Sequence, residues 1–196
     1  MNEKLCVVVI CGEPGSGTST TLQALRKDFR YEIRSNGAVM REWACKQFPH
    51  DPPSEALRQY QSLCEHGGVR IDKNLDEDTL LWIRLRNSRF DYAAVDGRIV
   101  GILCEREGIP VYRVLLLCDG NTRAERLAVR EGLTKEEALH QSSKRTEGDL
   151  ARYKKIYGIP PTDVFDPYNF DVTINTKTQS PARVAEIIDF GLKSLK

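Results

Sequence analysis

GEPGSGTST (Gly12–Thr20) follows the apolar run LCVVVI (Leu5–Ile10), and the fold turns on how these nine residues are read. Glycine, four residues, glycine, one residue and then Ser or Thr is the spacing of a phosphate-binding loop. Its glycines permit the positive-φ turns that wrap backbone N–H groups around an anion, and a following helix adds partial positive charge. The single intervening residue is normally lysine; here it is Thr18. With lysine gone, the spacing alone does not separate a phosphate loop from a glycine-rich turn. Its place between a buried strand and a helix favours the loop.

Outward from this stretch the elements alternate. Leu5–Cys11 is continuously apolar, as a strand buried on both sheet faces should be. Ser19–Phe29 has Leu22, Leu25 and Phe29 on one helical face. YEIRS (Tyr31–Ser35) reads as a second strand, and Gly37 opens a helical stretch that ends at the Pro49–Pro53 cluster. Two helical patterns fill residues 54–88, separated by Gly67 and Gly68. DYAAVDG (Asp91–Gly97), VYRVLLLC (Val111–Cys118) and DVTIN (Asp171–Asn175) supply three more strands. Helices are expected over Thr122–Glu131, Lys135–Tyr157 and Pro181–Leu195. Five strands alternating with helices predict an α/β fold with a parallel sheet covered on both faces. The charged helical section between strands four and five is read as too polar for a core layer, and as a covering flap instead.

Composition narrows the function. A chain of 196 residues holds one domain, or one domain with a mobile insert, with a substantial core, and a net charge of +1 argues against a polybasic nucleic-acid binder or a membrane-surface protein. The six cysteines contain no C-x-x-C pair and lie mostly in apolar stretches, as small buried hydrophobes in a reducing compartment do. MNEKLCVVVICGEPG has too short an apolar run for a signal peptide, so a cytoplasmic protein is expected.

Two further stretches carry candidate chemistry. VDGR (Val95–Arg98) closes the third strand, where the ligand crevice of an open α/β sheet lies. Asp96 there can hold Mg²⁺ through water and Arg98 can clamp an anion, although a solvated turn fits these residues equally well when they are taken alone. In KRTEGDLARYKKIYG (Lys144–Gly158), Arg145, Asp149 and Arg152 share one helical face; Arg123, Arg126 and Arg130 do so on the preceding helix. Solvated ion pairs would produce such rows. So would a lid that closes on polyphosphate.

Taken together, these stretches resemble the nucleoside monophosphate kinases, and within them the cytidylate kinases of the archaeal type, over nearly the whole chain. GEPGSGTST is similar to that group's loop, in which threonine likewise takes the lysine position. SNGAVMREWA (Ser35–Ala44) resembles its Ser-x-Gly stretch with an arginine on the next helix. VDGRIVG resembles its acid-Gly-Arg-x-x-Gly signature, RAERLAVREG (Arg123–Gly132) and the stretch from Arg145 resemble its lid, and FDVTINT (Phe170–Thr176) resembles its last strand.

The resemblance implies a P-loop NTPase-type fold with its core at 1–35, 89–120 and 159–196, a monophosphate-binding helical insert at 36–88 and a lid at 121–158. The implied activity is phosphoryl transfer from ATP to CMP or dCMP by a monomer whose partners are small nucleotides, with no nucleic acid and no membrane. It assigns ATP to Gly12, Glu13, Pro14, Gly15, Ser16, Gly17, Thr18, Ser19 and Thr20, with Arg126 and Arg130. The acceptor falls to Ser35, Asn36, Gly37, Arg41, Asp72 and Arg98. Mg²⁺ is the implied cofactor, held by Ser19 with Asp96 in support. Arg145 and Arg152 would neutralise transition-state charge, with Asp149 orienting them. The rival readings are a kinase for UMP or AMP and a regulatory module that binds nucleotide without turnover. Three departures bear on the base pocket: Asn36 in place of a small residue, Asp96 in place of glutamate, and the approach HGGVRIDKNLDED (His66–Asp78).

Overall fold

The computed structural model describes residues 5–51, 55–56, 59–60, 69–89 and 91–195. Its strands are β1 (Val7–Gly12), β2 (Glu32–Ser35), β3 (Ala93–Asp96), β4 (Tyr112–Leu117) and β5 (Val172–Asn175). They pair in parallel in the order β2-β3-β1-β4-β5, so β1 sits at the centre. The register brings the carboxyl ends of β1, β2 and β3 together: Ile10 pairs with Asp96, and Asp96 with Ser35. Three stretches far apart in sequence therefore meet at one crevice.

The helices are α1 (Thr18–Phe29), α2 (Asn36–Gln47), α3 (Val69–Arg89), α4 (Val100–Arg106), α5 (Gly120–Glu131), α6 (Lys135–Tyr157) and α7 (Pro181–Ser194). Between the two sheet faces the apolar core divides. Val8, Ile10, Val114 and Leu116 pack with Leu22 and Leu25 of α1 and Val184, Ile188 and Leu192 of α7. Val7, Val9 and Val95 pack with Ile83 of α3, Leu103 of α4, and Ile159 and Val164. A third cluster, Ala44, Ala56 and Tyr60 with Met40, Trp43 and Phe48, gives the insert a small core of its own. The first helical pattern expected within 54–88 falls largely outside the described residues.

Two expectations need correcting. No helix is anticipated after the third strand, yet α4 stands there with Val100, Gly101, Leu103 and Cys104 buried. Burial around most of its circumference removes the polar face that would betray a seven-residue helix. The charged section between β4 and β5 is also not wholly a flap. Leu150, Tyr153 and Tyr157 of α6 pack against the second cluster, because each aromatic or leucine recurs three or four residues on amid the lysines. The buried cysteines behave as expected: burial pushes the Cys11 and Cys104 thiols up to about 12, so neither is a thiolate at neutral pH.

Arg30 ends α1 with φ of 60°, the one non-glycine residue in the left-handed region among those described. A side chain there costs roughly 1–2 kcal/mol that glycine avoids, against glycine's greater chain entropy. Arg30 is exposed, so Arg30→Gly is expected to raise unfolding stability by up to about 1 kcal/mol in urea titrations. An unchanged or lowered midpoint would mean that the arginine's own contacts offset the strain.

Candidate active site

The loop Gly12–Ser19 is shaped by what lies behind it. Gly15 and Gly17 have φ of 84° and 102°, open to glycine alone without strain. A Cβ on Gly12 would stand 2.3 Å from Ser16 Oγ and 2.9 Å from Leu116 O. The loop's carbonyls are claimed from outside: Arg126 Nη1 donates to Gly15 O at 3.3 Å, and Thr176 Oγ1 to Ser16 O at 2.7 Å. Arg126 is itself fixed by Thr176 O at 2.7 Å, and Arg123 pairs with Glu13 at 3.1 Å beside Pro14 O. Because a trans peptide turns its N–H opposite its C=O, outward carbonyls turn the Gly15 and Gly17 N–H groups into the loop. They join the free N–H groups of the first turn of α1, whose cap Gly17 offers no side chain. The result is a cradle of amides at a helix N-terminus, a ready anion site. The Ser16 hydroxyl is buried there without a hydrogen-bond partner.

Arg126 and Thr176 therefore act on the loop from beneath. Of the two assigned arginines, Arg126 is occupied with carbonyls, while Arg130 is exposed at the end of α5 and paired with Glu131. Thr176 carries no special sequence pattern. Its signal is position alone, one residue past the last strand.

Across the crevice, Asp96 organises the start of α2. Its Oδ1 accepts from Asn36 N–H at 2.7 Å and its Oδ2 from Ser35 Oγ at 3.0 Å, while Ser35 Oγ accepts from Ala38 N–H. Burial raises the Asp96 carboxyl above the ordinary aspartate range, and the Asn36 and Ser35 donors and the Arg41 charge only partly oppose this. Arg41 Nη1 lies 3.5 Å from where a Cβ on Gly37 would be, so its guanidinium covers the glycine. Ser35, Asn36, Gly37, Arg41 and Asp96 are thus brought together. The side chain of Asp72 lies outside the described residues.

Arg98 reaches over this crevice to α6 and pairs with Asp149, whose other oxygen accepts from Arg152 Nη2 at 2.6 Å. Side-chain exposures of 12%, 13% and 21% for Arg98, Asp149 and Arg152 shield these pairs from the screening that makes surface pairs weak. Arg145 stands close by: desolvation of its charge, then the like charge of Arg98, lower its pKa from the usual arginine value, with Asp149 opposing. Two guanidinium groups thus hold one carboxylate, with the charge of Arg145 nearby. Arg98, expected beside the acceptor, also belongs to this cluster.

Among the described residues no group of three or more His, Cys, Asp or Glu could hold a metal ion, so there is no all-protein cage. A hydroxyl at the first turn of α1 and one carboxylate with spare lone pairs suit Mg²⁺, which binds one or two carboxylates and keeps its remaining positions for water and phosphates. Ser19, which is exposed, and Asp96 supply that set. Nor is any helix among the described residues long and apolar enough to cross a membrane.

This geometry has counterparts. Shikimate kinase from Acinetobacter baumannii superposes over 99% of this chain and 96% of its own with a TM-score of 0.54 at 15% identity. The fold is that of a P-loop kinase. A protein from Eubacterium ventriosum superposes more closely, with a TM-score of 0.65 at 17% identity over 96% of this chain and 99% of its own. In sequence the chain is similar to curated archaeal cytidylate kinases: 29% identical to that of Thermoplasma acidophilum over 92% of this chain and 89% of the relative. The cytidylate kinase of Methanosphaera stadtmanae is 28% identical over 97% and 99% of the two chains. No protein-family model matches. The resemblance drawn from the motifs thus extends over nearly the whole chain.

Asp96 offers a direct test. Asparagine can still accept from Asn36 N–H and donate to Ser35, so Asp96→Asn should keep the fold within about 1 kcal/mol. A carboxylate acting on a metal through water is worth about 10–100-fold, so turnover should fall by at least about tenfold. The stability difference carries a sign. A raised folded-state pKa means that the carboxyl's contribution is fully present below its unfolded pKa and is lost as pH rises through the folded one. Wild-type stability relative to Asp96→Asn should therefore fall with rising pH across the carboxylate range, as followed by denaturant unfolding. A constant difference would count against the raised pKa.

Proposed function

We propose that this P-loop kinase transfers the γ-phosphoryl group of ATP to the phosphate of CMP or dCMP, giving ADP and the nucleoside diphosphate. The observation that carries the reading is the bridge from Arg98 to Asp149 to Arg152, with Arg145 beside it, between the amide cradle and the α2 crevice. Phosphoryl transfer needs positive charge where donor and acceptor meet, and little covalent chemistry from the protein. Thr18 supplies none. The cluster does. The choice of cytosine rests on the likeness to cytidylate kinases over 92–97% of the chain.

In this reading the amides of Gly15 and of Gly17–Ser19 hold the donor's phosphates, the Ser16 N–H being taken by Glu13 O at 3.0 Å, while Arg41 with Arg98 holds the acceptor's. Mg²⁺ would be held by Ser19 and Asp96 and would supply charge neutralisation on the donor phosphates. Asp149 keeps the Arg98 and Arg152 guanidinium groups facing the gap. No side chain need act as a strong base once the acceptor phosphate is ionised.

The contacts also divide the proposed lid at 121–158. The start of α5 is pinned to the loop through Arg123 and Arg126, and the end of α6 is packed on the core through Tyr153 and Tyr157. Closure then belongs to the tip between these anchors, which carries Arg130 and Arg145. Arg152 waits near its working position, and Arg145 is delivered.

An ADP-release assay across the nucleoside monophosphates should give turnover with CMP and dCMP well above AMP. An arginine supplied to a transferring phosphoryl group is worth about 10³–10⁵ in rate, so Arg145→Ala and Arg152→Ala should each lower kcat by at least roughly a hundredfold. Equilibrium ATP binding should change far less, because these charges act at closure. Tight ATP binding without diphosphate formation from any monophosphate would instead favour a regulatory module.

A further inference from the structure

Three polar contacts leave a single turn of α3 in three directions. Asp78 accepts from Arg34 Nη2 of β2 at 2.5 Å, and Thr79 Oγ1 lies 3.0 Å from the Asn36 amide oxygen at the start of α2. Asp76 accepts from the Tyr157 hydroxyl, at the end of α6, at 2.6 Å. At about 100° per residue, positions 76, 78 and 79 face different sides of the helix. A helix gripped from several sides can neither roll nor slide without breaking a contact. Two of the grips lie on the acceptor side of the crevice, and the third leads to α6. Just beyond this turn α3 enters the second apolar cluster through Leu80 and Ile83.

The grip on α6 is stiff at both ends. A phenol donating to a carboxylate at 2.6 Å falls in the short range of charge-assisted hydrogen bonds, about twice as strong as neutral ones. The Tyr157 ring packs against the second apolar cluster while its hydroxyl reaches α3. Its backbone is pinned too, since Tyr157 O accepts from Arg106 Nη1 at 2.8 Å. Asp149, Tyr153 and Tyr157 recur every four residues, which sets them along one face of α6 with about 12 Å from first to last. Asp149 is the carboxylate that holds Arg98 and Arg152. Burial raises the pKa of the Tyr153 hydroxyl between them, and the Asp149 and Asp76 carboxylates both add to the rise against Arg98 and Arg152. The contact at Tyr157 therefore sets, from one end of this face, where the arginine cluster stands at the other.

We infer that Asp76 is a positioning residue for phosphoryl transfer: through Tyr157 it ties the turn of α3 that braces the acceptor crevice to the helix that carries the arginine cluster. This role rests on the kinase reading above. The two partners are 81 residues apart, and the groups they place must meet across a gap. A misplacement of about 1 Å between reacting groups can cost about a hundredfold in rate. The ATP cradle lies elsewhere, on the loop between β1 and α1, and none of the three contacts involves it.

Steady-state kinetics with CMP, beside ATP affinity by calorimetry, test the role. Tyr157→Phe deletes the hydroxyl and keeps the ring in its cluster, and Asp76→Ala deletes the other partner. Each should lower kcat by about 10–100-fold while ATP affinity stays within about twofold of the parent. Asp76→Asn keeps an oxygen that accepts from the phenol and should stay within about threefold. The double variant Asp76→Ala with Tyr157→Phe should be no slower than the slower single one, because both remove the same contact. A contact that merely stabilises the fold would lower the thermal midpoint and leave the kcat of the folded protein intact; that result overturns the role. So does a loss in Asp76→Asn as large as that in Asp76→Ala.

Hydrogen exchange separates this role from the kinase reading. Saturating CMP should slow exchange of the Lys154–Gly158 amides in the parent and leave them unchanged in Tyr157→Phe. A parent that binds CMP and shows this protection without turnover overturns the kinase reading and keeps the tie between α3 and α6. Binding without the protection overturns the tie, whether or not the chain turns over. If the parent binds no nucleoside monophosphate, both fall.

Discussion

Asp149 accepts from Arg98 and Arg152 at once, and the arrangement of this site depends on that shared carboxylate. Three arginines gathered without it would repel one another in a mostly shielded cleft, where charge is costly unless paired. One carboxylate among three guanidinium groups leaves a surplus of positive charge while holding two of them by direct hydrogen bonds. It also joins two elements far apart in the chain. Arg98 follows β3, at the centre of the sheet's crevice, and Asp149 lies midway along α6, whose far end is packed into the core. The position of α6 over the crevice is thus set from two directions, by a buried ion pair and by Tyr153 and Tyr157 against the second apolar cluster.

The cradle opposite depends on a similar economy of partners. The inward Gly15 and Gly17 amides face the loop because the carbonyl preceding each is engaged from behind, by Arg123 for Pro14 and by Thr176 for Ser16. Arg126 steadies the loop from beneath through Gly15 O and Thr176. Its contact with Thr176 also ties the end of β5 to the loop, so the outermost strand of this side has a stake in the loop's geometry.

Much of this was legible in the chain. Buried parallel strands are continuous apolar runs, and their order with the helices gave the sheet; Gly12, Gly15 and Gly17 gave the loop because its backbone needs them. What stayed hidden was pairing across distance. Arg34 and Asp78 are 44 residues apart, Asn36 and Thr79 are 43 apart, and Tyr157 donates to Asp76 across 81. No periodicity in a single element encodes such partners. Thr79 left only a faint trace, a hydroxyl between the apolar Leu75 and Leu80 on a helix face. α4 was lost for the opposite reason, since a short helix buried on most sides presents no alternation to detect.

The missing lysine then has a physical meaning within the proposed activity. A lysine at position 18 would bring charge to the donor phosphates at all times, whether or not an acceptor was bound. Amide donors and a helix terminus bind the same phosphates with partial charges that are much weaker at the γ-position. In this chain the full charges sit across the crevice and on the tip between the anchored ends of α5 and α6. In the proposed mechanism they act together on the γ-phosphoryl group only after the tip has closed and water has left. Charge delivered at closure stabilises the transition state more than bound ATP, which raises kcat without tightening the ground state. It also leaves ATP under-activated toward water while the acceptor site is empty, so that transfer to a phosphate is favoured over hydrolysis by the order in which the charges arrive.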